Sequence, residues 1–597
     1  MKMRFIQGAA AVFACLAAML ASRPTAQEQD IEAFFRDFSA IWVRGNPDLA
    51  TATRYFTGPE QDALERQLTP QTDAWRQERV RLAREGLEQL RRFDRRSLTQ
   101  TQRISADVME WLLDTAVRSE AFAEYVFPFE QFRGVNVEVV NTLTVVHPLS
   151  TAKDADNYLA RLALVDDRID EAMARAEPLI TRGLIPPRFI LEATLEQLRQ
   201  FVAPAASQNP FVTAYVDRMG TAIPEADRSK FRDRAVAIVD TEVYPAWRKV
   251  IALLEPLLAR ASDDAGLWRF ERGAEAYANE LRRFTTTSLT AEEIHQIGLR
   301  EVARLEREMD GILRRLGRTE GTIKDRTEKL RADLSYPTTE QGRTQIMADI
   351  DRLIRDAERR AATQFDRRPK APVIAKPYPP FREASAAASY NPPSPDGSRP
   401  GTFQMPLRPR RMTRFALRTL VYHETVPGHH FQIALEMENE AVPRFRRIRA
   451  LGGISASTEG WALYAERIAA ESGWYENDLE GLLGQLHEEL FRARRLVVDT
   501  GIHAKRWTRQ QAIDYGIEKS EVERYVVLPG QACSYMLGQL KILELREKAR
   551  TALADRFSIR AFHNAVLGAG TAPLAVVEAQ IDEYIRGANG KSPDKED

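Results

Sequence analysis

Apolar residues recur every three or four positions along most of this 597-residue chain, with charged residues between them. In residues 80–92 the apolar positions are Val80, Leu82, Leu87 and Leu90. The stripe of residues 154–175 consists of Leu159, Leu162, Leu164 and Ile169. This spacing follows the 3.6-residue period of an α-helix, not the alternation of a strand. The pattern predicts a mainly α fold built as one large helical body.

Two local signals mark where helices are expected to begin. Pro186 and Pro187 should end one helix and start the next, because proline is tolerated in a first turn but not in a helix interior. Thr290 is followed three residues later by Glu293, which is the spacing of a capping box. From there a charged helical stretch is expected to continue to about Leu330.

The segment 369–410 differs from the rest, with nine prolines between Pro369 and Pro400. Proline at this density excludes a continuous helix. One interpretation is a linker that splits the chain into two domains near residue 380. The other, which we favour, is extended chain or an edge strand beside a cleft, because GTFQMPL at residues 401–407 alternates like a strand.

The first 26 residues resemble a targeting segment. Lys2 and Arg4 precede an apolar run at residues 8–21, and small residues follow it. The run is shorter than the ~20 residues of a membrane span, and the residues before Cys15 do not favour a lipid anchor there. We therefore expect a signal peptide at 1–26, an exported and periplasmic protein, and no stable membrane association after cleavage. The remaining regions would be a helical part at 27–368, the proline-rich segment at 369–410 and a helical catalytic part at 411–590.

The amino-acid composition argues against several classes of protein. The 85 basic residues are balanced by 85 acidic ones, so no net field would attract nucleic acid or an anionic membrane, and neither partner is expected. The two cysteines are Cys15 and Cys533, and Cys15 should leave with the signal peptide. An intramolecular disulfide is then impossible, and Cys533, in an apolar stretch, is expected to be buried.

The candidate chemistry lies at residues 422–432, YHETVPGHHFQ. His423 and Glu424 match the first half of the zinc-helix motif, in which a glutamate follows the first histidine ligand. Position 427 is proline, so the helix should bulge or break before the next histidines. On an unbroken helix His430 would face the same way as His423, whereas a bulge would bring His429 there instead. Spacing alone leaves both histidines open as ligands.

Two glutamates follow on an amphipathic segment. Glu459 comes 36 residues after His423, which is enough chain to finish one helix, turn and return antiparallel. A buried carboxylate needs a partner, and a dication is an efficient one. Glu466, seven residues later, is expected to be a solvated or salt-bridged helix residue.

Three blocks, HETVPGH, EGWALYAE and RYVVLPGQACSYMLGQ, resemble the bacterial family catalogued as domain of unknown function 885. The resemblance implies a zinc metallopeptidase of the gluzincin type, a helical protein with a deep substrate channel. It also implies that His423, His429 and Glu459 hold Zn²⁺ and that Glu424 is the general base. In this respect it favours His429 over His430.

The third block, around residues 524–539, is expected to complete the site. Related helical peptidases place a tyrosine in a comparable segment to donate to the oxyanion, and Tyr535 matches that position better than Tyr525. Either tyrosine could instead be a core aromatic. His503 is a further candidate for binding substrate, or else a core histidine. The other isolated histidines are expected to be structural: His147, His295, His487 and His563.

The sequence thus predicts an exported zinc metallopeptidase that hydrolyses short peptides. Two alternatives remain open at this point. One is a metal-dependent hydrolase of a non-peptide amide or a cell-wall peptide, and the other is a binding protein that kept the fold without catalysis. The cleavage mode and the oligomeric state are not predicted.

Overall fold

The computed structural model describes residues 30–378, 383, 387–394, 399–408 and 412–590. The expected signal peptide, residues 1–26, lies outside them. The described chain is mainly α-helical with one small sheet, which confirms the predicted fold class. Among the described residues, no helix has the length and apolar character needed to cross a membrane.

The first part of the chain consists of helices joined by loops and by short 3₁₀ or π-helical turns. The α-helices are Ile31–Arg44 (α1), Pro47–Thr53 (α2), Gly58–Glu65 (α3), Asp73–Leu90 (α4), Gln100–Ser119 (α5), Val135–Asn141 (α6), Ala152–Leu162 (α7), Val165–Thr181 (α8), Arg188–Val202 (α9), Pro210–Arg218 (α10), Glu225–Ile238 (α11), Tyr244–Leu254 (α12), Gly273–Thr285 (α13), Ala291–Arg315 (α14), Ile323–Asp333 (α15) and Glu340–Ala361 (α16).

The proline-rich segment forms a three-stranded sheet of Val373–Pro377 (β1), Ser389–Asn391 (β2) and Gly401–Met405 (β3). The strand β3 runs parallel to β1, with Val373 opposite Gly401, and antiparallel to β2, with Tyr390 opposite Phe403. The segment is extended chain, as predicted. The strand at 401–405 is central, however, not an edge strand, because it has hydrogen-bonded partners on both sides.

The last part of the chain is again helical. Its α-helices are Arg414–Glu424 (α17), His429–Glu438 (α18), Arg444–Arg447 (α19), Ser455–Glu471 (α20), Leu479–Ala504 (α21), Arg509–Asp514 (α22), Lys519–Val527 (α23), Ser534–Leu553 (α24), Ile559–Ala569 (α25) and Leu574–Gly590 (α26).

The predicted helix starts are confirmed. Helix α9 begins directly after Pro187, and in α14 the backbone N–H of Thr290 donates to Glu293 while the N–H of Glu293 donates to the Thr290 hydroxyl. The charged stretch does not run unbroken to Leu330. Helix α14 ends at Arg315, just before Gly317 takes a left-handed conformation (φ 73°), and a second capping box, formed by Thr322 and Asp325, then starts a separate helix.

The amino-terminal helices pack against the later ones. Phe34 and Phe35 of α1 belong to the same buried apolar cluster as Tyr422 of α17 and Trp461 of α20. Helices α20 and α24 approach so closely that a Cβ atom on Gly460 would lie 2.5 Å from the Cα of Gly538. The helices that carry the predicted site are thus held in a continuous core.

Candidate metal centre

The HETVPGH segment breaks the helix, as the proline predicts. Helix α17 ends at Glu424 and α18 begins at His429, with a cis bond before Pro427 between them. A Cβ atom on residue 428 would lie 1.9 Å from the carbonyl oxygen of His423, so only glycine fits this turn. The break brings the rings of His423 and His429 to a centroid distance of 4.8 Å.

The returning helix α20 supplies the third group. One carboxylate oxygen of Glu459, Oε2, lies 3.6 Å from Nε2 of His423 and 3.4 Å from Nε2 of His429. One ligand atom from each of the three residues lies within 4.8 Å of the others. In the described chain this is the one group of three or more potential ligands found so close together. The Trp461 indole N–H donates to the Pro427 carbonyl at 2.9 Å and so holds α20 against the turn between α17 and α18.

Glu466 lies behind His423 as a buried partner of its ring. The Nδ1–H of His423 donates to Oε1 of Glu466 at 2.7 Å, and Glu466 is fully buried. Of the two alternatives expected for Glu466, the solvated residue is therefore wrong, and the residue is instead paired with His423. Seven residues separate Glu459 from Glu466, so both project from the same face of α20 onto the same imidazole. The other nitrogen of His429, Nδ1, is buried without a hydrogen-bond partner among the described residues.

The charges in this cluster favour a cation. Burial disfavours the imidazolium form of His423, but Glu459 and Glu466 outweigh burial and raise the pKa of His423 to about 9. Burial would likewise raise the pKa of Glu459, but the two histidines bring it well below its ordinary value. Three carboxylates, those of Glu424, Glu459 and Glu466, surround two imidazoles. In this geometry a positive charge between them is stabilised.

His430 does not belong to the cluster. Its Nδ1 lies 3.0 Å from the hydroxyl of Tyr390 on β2, and its Nε2 lies 3.1 Å from the carbonyl oxygen of Ala371. Burial lowers the pKa of His430 to about 4, so the ring is neutral. The helix-phase argument for His430 is wrong because it counts across the break, where the 100° rotation per residue is lost. His430 instead ties α18 to the sheet.

A cavity of about 1060 Å³ opens onto the cluster. Its wall includes His423, Glu424, His429, Glu459 and Tyr535. Ligand pockets usually measure ~300–1,000 Å³, so this one is large enough for a short peptide. The sheet also contributes to the wall through Ser389 and Tyr390, which agrees with the prediction that the proline-rich segment borders a cleft.

Two of the predicted catalytic residues lie in the core instead. Burial lowers the pKa of His503 to about 3; its Nδ1 accepts the backbone N–H of Leu267 at 3.1 Å, and its Nε2–H donates to the carbonyl of Tyr525 at 3.0 Å. Tyr525 is 1% exposed, and its hydroxyl donates to Glu521 at 3.1 Å. Both ring nitrogens of His503 are occupied by backbone groups, and the Tyr525 hydroxyl is bonded to Glu521, a residue of the cavity wall. Neither His503 nor Tyr525 is itself part of that wall. The structure does not bring them to the site.

One wall of the cavity was missed by the sequence analysis. Helix α21 lines it with His487, which we expected to be structural, and with Glu488, Arg492 and Arg495. The available signal was the set of charged residues at helical spacing in HEELFRARR, on a helix otherwise rich in apolar residues. The other isolated histidines are buried and hydrogen-bonded, as expected of structural residues: His147, His295 and His563. Cys533 is buried, as predicted.

Comparison with known proteins identifies the family. The family model described as bacterial protein of unknown function (DUF885) matches residues 47–581. A crystal structure titled as the putative lipoprotein from Colwellia psychrerythraea shares 31% sequence identity, with a TM-score of 0.86 over 94% of this chain and 100% of that chain.

A second solved structure, titled as a putative lipoprotein of unknown function from Shewanella oneidensis, shares 19% identity and therefore only the fold. Its TM-score is 0.69 over 92% of this chain and 99% of that chain. No curated protein matches this sequence. The family match spans nearly the whole chain, and this protein belongs to the DUF885 family.

Proposed function

We propose that this protein is an exported, zinc-dependent metallopeptidase that hydrolyses short peptides. One observation carries the proposal: a helix break and a returning helix bring His423, His429 and Glu459 together, with Glu424 beside them in the wall of a large cavity. Two imidazoles and one carboxylate are the ligand set of catalytic zinc sites, which keep a fourth position open.

The cluster fits zinc better than a hard cation. Calcium and magnesium prefer six or more oxygen ligands, whereas two of these three donors are nitrogen. The hydrogen bond from His423 to Glu466 also matches the outer carboxylates that orient histidine ligands of metals. Zinc bound there supplies Lewis acidity and makes water a nucleophile at neutral pH.

The roles of the chain's own residues follow from their positions. Glu424 takes the proton of the attacking water and returns it to the leaving amine. Glu466 holds His423 with Nε2 directed towards the centre. The hydroxyl of Tyr535, in the same cavity wall, donates to the carbonyl oxygen as negative charge develops on it.

Export rests on the first 26 residues, which have the charged, apolar and small-residue parts of a signal peptide. The two solved structures are both described as putative lipoproteins, which agrees with an exported protein. Amino-terminal sequencing of the mature protein tests this. Cleavage near residue 26 is expected, and an intact Met1 would contradict export.

Metal analysis together with a peptide-library digest tests the activity. The purified mature protein is expected to contain or rebind one zinc ion per chain and to cleave short peptides, and a chelator should abolish cleavage. Glu424→Gln is the matched control, because it should keep zinc and lose cleavage. Absence of zinc binding, or cleavage that persists in that variant, would refute the proposal.

A further inference from the structure

The wall of the cavity that holds the metal cluster contains six arginines, and three of them are buried. The other three are Arg331, Arg449 and Arg494. Of the buried three, Arg492 and Arg495 lie on α21, three residues apart and thus on one helix face, and Arg524 lies on α23. Each is at least nine-tenths buried. Arginine is rarely buried without a partner for its charge, so their hydrogen bonds need to be accounted for individually.

The carboxylates near these arginines do not satisfy all of them. Arg495 and Arg524 both donate to the same oxygen of Glu521, each at 2.8 Å, and the Tyr525 hydroxyl donates to it at 3.1 Å. Two guanidinium groups therefore share one carboxylate. Of the other acidic residues of the wall, Glu488 pairs with Arg492, whereas Glu306 and Glu328 pair with Arg494 and Arg331.

Arg495 keeps free donors. Its Nε and Nη1 atoms are buried, and neither has a hydrogen-bond partner among the described residues. The guanidinium lies 4.3 Å from the ring centroid of Phe491 and 4.4 Å from that of Tyr535, so aromatic rings hold it in place. Buried N–H groups without a partner are rare in native proteins, and in a cavity wall they indicate a ligand that accepts hydrogen bonds.

We propose that Arg495, assisted by Arg524, binds a carboxylate of the peptide substrate. A planar guanidinium matches a carboxylate in a two-bond fork, and aromatic stacking orients that fork before the ligand arrives. Tyr535 connects this subsite to the catalytic cavity, because it lies in the cavity wall and its ring packs on Arg495. The inference rests on the proposed peptidase function and specifies its substrate class.

The carboxylate can come from two sources. It is either the α-carboxylate at the carboxyl terminus of a peptide, which would make the enzyme a carboxypeptidase, or the side chain of an aspartate or glutamate. Three probes distinguish them: trialanine with a free carboxyl terminus, trialanine amide, and N-acetyl-Ala-Glu-Ala-amide. Both sources predict that Arg495 discriminates between charged and neutral probes.

The test measures binding of these probes by calorimetry, with full-length mature Glu424→Gln protein so that no probe is cleaved. We expect at least one charged probe to bind tenfold or more tightly than trialanine amide. Adding Arg495→Gln should remove this difference. Arg494→Gln, one residue away and already paired with Glu306, should retain it. Arg495→Lys keeps the charge without the fork, which guards against a folding defect, and should retain only part of the difference.

Equal binding of charged and neutral probes, absence of binding by all three, or loss of discrimination in the Arg494 variant instead of the Arg495 variant would each overturn the carboxylate subsite. The proposed peptidase activity can fail independently. Discriminated binding without any hydrolysis by the wild-type protein would support the subsite and refute the peptidase. Hydrolysis of all three probes at equal rates would do the reverse.

Discussion

Glu466 accepts the Nδ1–H of His423 at 2.7 Å from a fully buried position, and this bond leaves Nε2 of the ring as the atom that faces Glu459. The bond therefore selects the tautomer that a metal ligand needs.

Glu466→Gln tests that role. An amide is neutral and can present its NH₂ group to the ring, so we expect zinc affinity to fall ~10–100-fold while the fold is kept. Zinc affinity is measured by competition with a chromogenic chelator. Glu471→Gln, an exposed residue on the same helix, is the control and should bind zinc like the wild type. Wild-type zinc affinity in Glu466→Gln would contradict the role.

Glu424 and Glu459 should fail in different ways. Glu424→Gln should keep zinc but lose turnover ~10²–10⁴-fold, because an amide cannot accept the proton of water. Glu459→Gln should lose zinc affinity, since it removes the charged ligand between two imidazoles. Metal content and peptide turnover are measured on both proteins. Equal metal loss in the two variants would refute this division of roles.

Substitutions of the adjacent residues His429 and His430 should have different effects on zinc binding. His429→Ala removes a proposed ligand of the cluster, and zinc binding should be abolished. His430→Ala removes the bonds to Tyr390 and Ala371, so the free energy of unfolding should fall by about 1–3 kcal/mol while zinc still binds. Denaturant unfolding and metal titration give both quantities. The opposite pattern would reinstate His430 as the ligand.

Tyr535→Phe removes one hydroxyl from the cavity wall. Loss of an oxyanion donor should lower kcat ~10²–10³-fold with little change in KM. Tyr525→Phe removes a buried hydroxyl that donates to Glu521 and does not itself line the cavity, so the melting temperature should fall while kcat stays within a few-fold of the wild type. Steady-state kinetics and thermal unfolding distinguish the two. An unchanged kcat in the Tyr535 variant would exclude it as a donor.

Asp499 gives the stability a pH dependence. Burial raises the pKa of Asp499 to about 7, although it accepts hydrogen bonds from Tyr277 at 2.6 Å and from the backbone N–H of Gly530 at 3.0 Å. Because its pKa is higher in the folded than in the unfolded chain, folding favours the protonated form. Its contribution is complete below pH ~4 and is lost as the pH rises through ~7.

The measurement compares the wild type with Asp499→Asn by denaturant unfolding between pH 4 and pH 8. Each unit of pKa shift corresponds to ~1.4 kcal/mol, so the wild type should lose a few kcal/mol relative to the variant over this range. A difference in stability that does not change with pH would show that Asp499 titrates with its ordinary pKa.

Local sequence patterns predicted much of the fold. Helical periodicity, the proline start of α9 and the capping box at Thr290 depend on neighbours within four residues, and the structure confirms them. The stripe at 154–175 is one pattern but two helices, α7 and α8, which meet at Ala163 and Leu164. Such a break depends on packing against distant helices and leaves little trace in local spacing.

The site was predictable where the chain makes it locally and unpredictable where distant segments meet. Pro427 predicts the break, but the direction of His430 depends on Tyr390, which is 40 residues earlier on a strand. The burial of Glu466 likewise depends on the approach of α17. His503 shows the opposite case. The sequence offered it as a candidate for binding substrate, but both of its ring nitrogens are hydrogen-bonded to backbone groups of the core.

The contact between Gly460 and Gly538 joins two functions in one rigid unit. Glu459 directly precedes one glycine, and Tyr535 lies three residues before the other. This close backbone contact therefore fixes the proposed metal ligand and the proposed oxyanion donor relative to each other. Neither glycine has a side chain, so the two helix backbones are in direct contact at this point. A change in which substrates the cavity accepts is therefore expected to come from its other walls, which include α14, α15, α21, α23 and the sheet.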